Sequence, residues 1–252
     1  MTIEALLQTL VAEWDDDNTL AISLTGSHAR GDAQRYSDVD VWRFVKTMPD
    51  TGYLLEQRDS FLLSVSYKTL AALREEMSQP QQAIFAMPAV RQMRVLVDRT
   101  GELVPLIEEA KQFSWNTLQA QADREASNHM QGLAEEVHKI MNGLAQADDQ
   151  LMIYGLYGLI VNLTYAVALH KGVMVLSENN FFRQTQQTVG TNSAWTHEQR
   201  IALGLVVASP PMRARAGLRL YRETATLLDS IIRPEHRPAV EYTLKQIGRF
   251  VE

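Results

Sequence analysis

The sequence predicts an α+β fold, with a small mixed-sheet domain over residues 1–105 and an all-helical bundle domain over residues 106–252. Three observations lead there. The strand-like runs all lie before Glu102. After it, apolar residues recur at helical spacing, with Ser209-Pro210-Pro211 and Arg233-Pro234 punctuating the last two helices. The chain has 252 residues, 46% of them hydrophobic, which suits two modest domains better than one.

Along the first domain, apolar residues at 3, 6, 7, 10, 11 and 14 predict an amphipathic helix over Ile3 to Trp14 that packs on the sheet. Asp15-Asp16-Asp17-Asn18 reads as a solvated turn, because it lacks the spaced ligands and distal glutamate of a calcium loop. Ala21 to Leu24 is β-prone, and Ser37 to Trp42 forms a second strand. A loop at Pro49-Asp50-Thr51-Gly52 leads to a strand over Ser60 to Tyr67, a helix over Thr69 to Met77, and a strand over Arg94 to Val97 ending at Asp98.

In the second domain, helical spacing runs through Leu103 to Gln112, Leu118 to Leu144 and Gln150 to His170, for a bundle of about five helices. Ser177 is placed to cap a short helix reaching Thr188, and Thr196-His197-Glu198-Gln199 has the form of a capping box. Leu151 to Leu169 is apolar enough to suggest a membrane span, but its glycines and tyrosines favour a buried central helix. The protein carries a formal charge of −6 and no long basic stripe, which argues against a nucleic-acid partner and suits a cationic small molecule. Absence of cysteine excludes disulfides and thiolate metal sites. The N-terminus lacks the basic start and cleavage site of a signal peptide, so cytoplasmic location is expected.

The chemistry concentrates in Leu24-Thr25-Gly26-Ser27-His28-Ala29-Arg30-Gly31-Asp32 and the following Tyr36-Ser37-Asp38-Val39-Asp40-Val41-Trp42. Gly26-Ser27 permits a tight turn with little side chain between backbone and ligand. A helix starting at Ser27 would turn free N–H groups and the Ser27 hydroxyl toward an anion such as phosphate. On a strand of period two, Asp38 and Asp40 project from one face and Val39 and Val41 from the other. Two carboxylates together with substrate phosphates are the usual donor set for Mg²⁺.

Gly-Ser, a gap of about ten residues and Asp-x-Asp within a strand–turn–helix–strand order resemble the DNA-polymerase-β-like nucleotidyltransferase superfamily. The chain order, a short α/β domain ending near Asp98 and then helices, is similar to that of kanamycin-type aminoglycoside nucleotidyltransferases. The resemblance implies Asp38 and Asp40 as metal ligands and Gly26, Ser27 and Arg30 at the phosphates. It implies Glu135 as the base that deprotonates an acceptor hydroxyl, with Glu136 as the neighbouring choice of register, and Lys139 and Ser177 as nucleotide contacts. Without it, Glu135, Lys139 and Asn142 with His138 beside them read as an ordinary solvated helix face.

One departure stands out. Members of the superfamily commonly place a third carboxylate on the next strand, where this chain has Ser64. Either two carboxylates suffice, or an acid arrives from elsewhere, or catalysis is lost. Asp98 is one candidate acid, but it equally well starts the turn Asp98-Arg99-Thr100-Gly101. His28 reads as an exposed turn residue, and no histidine pair has metal-ligand spacing.

The expected activity is Mg²⁺-dependent transfer of AMP from ATP to a hydroxyl of a small acceptor, with release of pyrophosphate. An aminoglycoside is the first acceptor class, because polycationic sugars suit acidic surroundings. The alternatives are a lincosamide, another metabolite or a protein hydroxyl, or a nucleotide-binding or partner-binding module without catalysis. Related enzymes often form dimers, so a homodimer is compatible with the chain.

Overall fold

The computed structural model describes residues 1–251. Thr2 opens the first helix, α1 (Ile3–Glu13), by accepting a hydrogen bond from the Ala5 N–H on its hydroxyl (3.3 Å). Leu6, Leu7 and Leu10 point from it into a core shared with Ile22, Leu24, Val39, Val41, Leu63 and Val65. Those partners sit at alternate positions of three strands, so α1 covers one face of the sheet, as expected.

The sheet contains β1 (Thr19–Leu24), β2 (Val39–Val45), β3 (Tyr53–Arg58), β4 (Phe61–Lys68) and β5 (Arg94–Asp98), in the order β3-β4-β2-β1-β5. β2 and β4 run parallel and every other neighbouring pair is antiparallel. This is the expected mixed sheet. β3 was not expected. It is an edge strand whose residues alternate between exposed and half-buried, and Glu56 and Arg58 pair with each other on it (2.6 Å). Charge on an edge discourages pairing with other chains, and it also removes the apolar alternation by which a strand is recognised.

The turn before β1 is held by a buried cation. Arg43 is 9% exposed, donates to the Thr19 hydroxyl (3.0 Å), and pairs with the Asp16 carboxylate. Its guanidinium lies over the rings of Trp14 and Tyr67, at 5.5 and 5.7 Å from their centroids. Asp16 also accepts from the Asn18 and Thr19 N–H groups (3.0 and 2.9 Å), so the acidic run is a turn, as expected.

After β4 come α3 (Leu70–Ser78), capped by Thr69, and α4 (Pro80–Gln92). α4 is not expected from the sequence. Pro80 in its first turn is a normal start, but Pro88 lies inside it and interrupts the pattern of a continuous helix. α5 (Leu103–Gln112) follows β5.

The chain forms two compact units, one of Met1–Ser114 with Met174–Glu178 and one of Trp115–Val173 with Asn179–Glu252. The first extends past residue 105 because α5 is tied to α4. Arg91 donates from Nε to the Ala110 carbonyl (2.7 Å) and from Nη2 to the Phe113 carbonyl (3.1 Å). The stretch Met174–Glu178 joins the same unit through the Val175 N–H, which donates to the Ile84 carbonyl (2.8 Å).

The second unit contains α6 (Gln119–Gly132), α7 (Ala134–Gln146), α8 (Asp149–Lys171), α9 (Phe181–Val189), α10 (Ala194–Leu203), α11 (Pro210–Leu227) and α12 (Arg237–Val251). α8 is long and apolar enough to cross a membrane, yet 56% of its most apolar window is buried. It is the core helix of this unit. A Cβ on Gly155 would lie 2.8 Å from Ile140 Cγ1, so α7 and α8 pack at glycine distance.

Three local expectations need correction. Leu118 to Leu144 is two helices, α6 ending at Gly132 and α7 beginning at Ala134, with Leu133 (φ −72°, ψ −6°) between them. The N-cap of α10 is Ser193, whose hydroxyl accepts from the Thr196 N–H (3.1 Å), and not Thr196 itself. Gln199 instead lies in the core, donating to Thr164 Oγ1 (2.6 Å) and accepting from Gln186 (2.7 Å). Last, Ser177 does not cap α9, which begins at Phe181 after a 3₁₀ turn over Glu178–Asn180.

Candidate active site

The site is built where β1 and β2 end side by side. The Thr25 N–H donates to the Asp40 carbonyl (2.8 Å), continuing the pairing of β1 with β2 by one residue. The chain then turns at Gly26, with φ of +64°, into α2 (Gly26–Arg30), which ends at Gly31 with φ of +78°. The helix begins one residue earlier than expected. Its opening N–H groups have no partner within so short a helix.

Gly26 is required twice over. Its positive φ disfavours any residue with a Cβ. A Cβ built there would also lie 2.1 Å from Asp40 Oδ2, so the Asp40 carboxylate fills the space that glycine leaves open.

Asp40 stands on β2, and Asp38 immediately precedes the strand. Alternation places both on the sheet face opposite α1. Asp40 is directly opposite Ser64 in the parallel register with β4, so serine does occupy the neighbouring strand position. The Ser64 hydroxyl donates to the Asp40 carboxylate. Burial raises the pKa of Asp40 from the ordinary 3.8 to about 6, with the Asp38 charge adding to the rise and Glu178 contributing a smaller one. The Ser64 hydrogen bond and the Arg30 charge act in the opposite direction.

Arg30 donates from Nε to Asp32 (3.2 Å) and from Nη1 to the Leu176 carbonyl (3.2 Å). Thus Arg30, Asp38, Asp40 and the Met174–Glu178 stretch belong to one neighbourhood, which includes Ser177 by chain position. His28 is half-buried, and its ring meets Phe61 edge-on with centroids 6.3 Å apart. It is a packing residue more than an exposed one.

The donor set fits a divalent cation. Two carboxylates, one of them partly desolvated and repelled by the other, gain from a hard cation placed between them. Among the described residues, no group of three His, Cys, Asp or Glu side chains is placed to hold a metal ion. Asp98 is not a further ligand. Its carboxylate accepts from the N–H groups of Gly101 (2.9 Å) and Leu103 (3.0 Å), closing the turn and capping α5.

In the second unit, Glu135 is exposed on α7. Lys139 pairs with Glu136 (2.6 Å), three residues back, and not with Glu135, and it lies 5.6 Å from the Tyr154 ring centroid. Glu136 Oε2 is buried without a hydrogen-bond partner. A Cβ on Gly158 would come within 3.3 Å of that oxygen.

Sequence reasoning missed two groups in the first unit. Trp42 shares a face with Asp38 and Asp40 by the same alternation, and Lys68 lies 4.7 Å from its ring centroid while bonding both Glu76 carboxylate oxygens (2.6 Å each). Glu178 acts on Asp40 from a distant part of the chain, and no local pattern announces it.

Residues 3–87 match the family model described as a nucleotidyltransferase domain. No curated protein matches the chain. Among solved structures, the chain is similar to a nucleotidyltransferase-like protein from Exiguobacterium sibiricum 255-15, with a TM-score of 0.54 and 14% identity. That likeness covers 98% of this chain and 80% of the other, and at such identity it concerns the fold. The matched residues include Asp38 and Asp40, and the match to a nucleotidyltransferase domain supports a transferase acting by nucleotidyl transfer.

Proposed function

We propose that the protein moves AMP from ATP to a hydroxyl of a small cationic acceptor, an aminoglycoside first among the candidates, and releases pyrophosphate. The observation that carries this reading is the Asp38–Asp40 pair beside the Gly26 turn, with Gly26 shaped around the Asp40 carboxylate. Asp38 and Asp40 would hold Mg²⁺, which supplies charge neutralisation at the phosphoryl group and the leaving pyrophosphate.

The chain's own residues divide the remaining work. The N–H groups at the start of α2 and the Ser27 hydroxyl receive phosphate oxygens. Arg30 adds positive charge in the same neighbourhood, and Ser64 fixes the Asp40 carboxylate by donating to it. Glu135 is the proposed base for the acceptor hydroxyl, and Lys139 and Ser177 are proposed nucleotide contacts. The net charge of −6 supports a cationic acceptor.

Pyrophosphate release from ATP and Mg²⁺, screened against aminoglycosides and lincosamides, tests the reading. Release that depends on one acceptor class and disappears in Asp38→Ala/Asp40→Ala is the expected result. In Glu135→Gln, transfer is expected to fall by about two to four orders of magnitude while nucleotide binding persists; unchanged transfer rejects that residue as the base. Ser64 in register with Asp40 favours one second reading, a nucleotide-binding module without catalysis. Tight metal-dependent ATP binding with no pyrophosphate release from any small-molecule or protein acceptor supports it.

A further inference from the structure

Strand register sets out what lies beside Asp40 on the sheet. Asp40 is paired with Ser64 on β4, and Ser64 with Leu55 on β3; one step along the same face, Trp42 is paired with Ser66 and Ser66 with Tyr53. With strands about 5 Å apart, Leu55 stands roughly 10 Å from Asp40, and Leu62 shares the face by alternation with Ser64. The polarity of β3 is reversed for an edge strand. Tyr53 and Leu55 are 53% and 50% exposed, and Leu62 beside them on β4 is 48% exposed. The charged Glu56 and Arg58 are instead half-buried on the side of Leu54, where Arg58 pairs with Glu13 of α1 (3.0 Å). A strand whose outer face met only water would carry its charges outward. On β3 and β4 the open face has no acid, and its one cation, Lys68, is neutralised by both oxygens of Glu76 (2.6 Å each). Apolar side chains left open beside a few fixed polar groups are the usual lining of a small-molecule site.

We propose that Tyr53, Leu55 and Leu62 form a surface that selects the acceptor, and that it takes a hydroxyl compound with a single amine and an apolar face. This rests on the reading of Asp38 and Asp40 as the transfer centre, with which the surface is continuous through Ser64 and Ser66. Within the cationic acceptors of that reading, it places such a compound ahead of a polycationic sugar. The net charge of −6 draws any cation from a distance. Contact is decided locally, and a polycation laid on β3 and β4 would give up water without meeting a carboxylate. A compound that turns its hydroxyls toward the aspartates and its apolar part over Leu55 and Tyr53 loses no such hydration and covers the exposed side chains.

The test is steady-state pyrophosphate release from ATP and Mg²⁺ by the full chain, with lincomycin as the probe bearing one amine and an apolar chain and kanamycin as the polycation. Sedimentation of the free protein is measured alongside. Lincomycin is expected to show the higher kcat/KM. Leu55→Glu is expected to raise its KM about tenfold with kcat unchanged, the signature of lost binding contact, and to lower the KM of kanamycin. Val104→Glu adds the same charge at a 52% exposed position of α5 and is expected to leave both KM values as they are. Equal effects of the two variants would reduce the result to net charge and overturn the proposal. A higher kcat/KM for kanamycin that Leu55→Glu leaves unaltered would overturn it while keeping the transfer reading. A dimer that Leu55→Glu dissociates, with both KM values unchanged, would give the surface to a second copy of the chain and overturn it too. Release with neither compound would overturn the proposal, and release with no acceptor at all would remove the transfer reading as well.

Discussion

Replacing Gly26 with alanine asks whether the turn is shaped around Asp40, and the structure sets the size of the answer. The new methyl would sit 2.1 Å from Asp40 Oδ2 and 2.9 Å from its Cγ, at a φ of +64°. The backbone conformation alone costs an alanine about 1–2 kcal/mol. Moving the carboxylate or the strand aside adds about 1–3 kcal/mol. An Asp40→Ala background removes the two nearest of these contacts and keeps the one with Cβ at 3.2 Å, so most of the second cost disappears. The four proteins of the cycle should therefore show a coupling of about 1–3 kcal/mol, the double variant being less destabilised than the sum of the two single ones. Hydrogen exchange of β1 and β2 amides measures this for the first unit separately. Additivity within about 0.5 kcal/mol would refute the claim that Gly26 and Asp40 are fitted to each other.

Two other outcomes follow from the same unit. Because Asp40 has its pKa raised from 3.8 to about 6, the native state binds its proton more tightly than the unfolded chain. Its contribution to stability should be greatest below 3.8, fall as pH rises to about 6, and stay flat above. The loss is about 3 kcal/mol at most, and smaller once solvent screening of this partly exposed carboxylate is allowed for. Asp40→Asn should flatten this slope when stability is measured against pH in a chelator, and curves of equal slope would contradict the assignment. Asp98→Ala should cost about 1–2 kcal/mol of stability in urea, since it removes the acceptor for the Gly101 and Leu103 N–H groups. It should leave divalent-cation binding unchanged, and a loss of binding would reopen Asp98 as a ligand.

The legible parts of the site were those in which one short segment supplies all the atoms. Gly26 and the Asp38–Asp40 alternation belong to a single turn and a single strand, where chain geometry relates neighbours directly. The position of Ser64 beside Asp40 was anticipated by family resemblance and emerged as strand register. Asp98 had two readings of comparable merit, and only the positions of the Gly101 and Leu103 N–H groups separated them. Likewise, Glu135 and Glu136 are adjacent in sequence, and side-chain packing against Gly158 decided which of them pairs with Lys139.

Other elements were hidden for identifiable reasons. β3 carries charge because it is an edge, and α4 contains a proline, so each violates the pattern by which its type is recognised. Arg43 reads as a surface residue until Trp14, Tyr67, Thr19 and Asp16 close around it. By itself, the sequence determined the α+β class, the position of the Gly-Ser turn and the face shared by Asp38 and Asp40, because periodicity and glycine chemistry act over a few residues. Tertiary structure decided the strand order, the burial that raises the Asp40 pKa to about 6, and the return of Met174–Glu178 to the first unit. Those depend on residues far apart in the chain, whose proximity is set by core packing and hydrogen-bond register rather than by any local pattern.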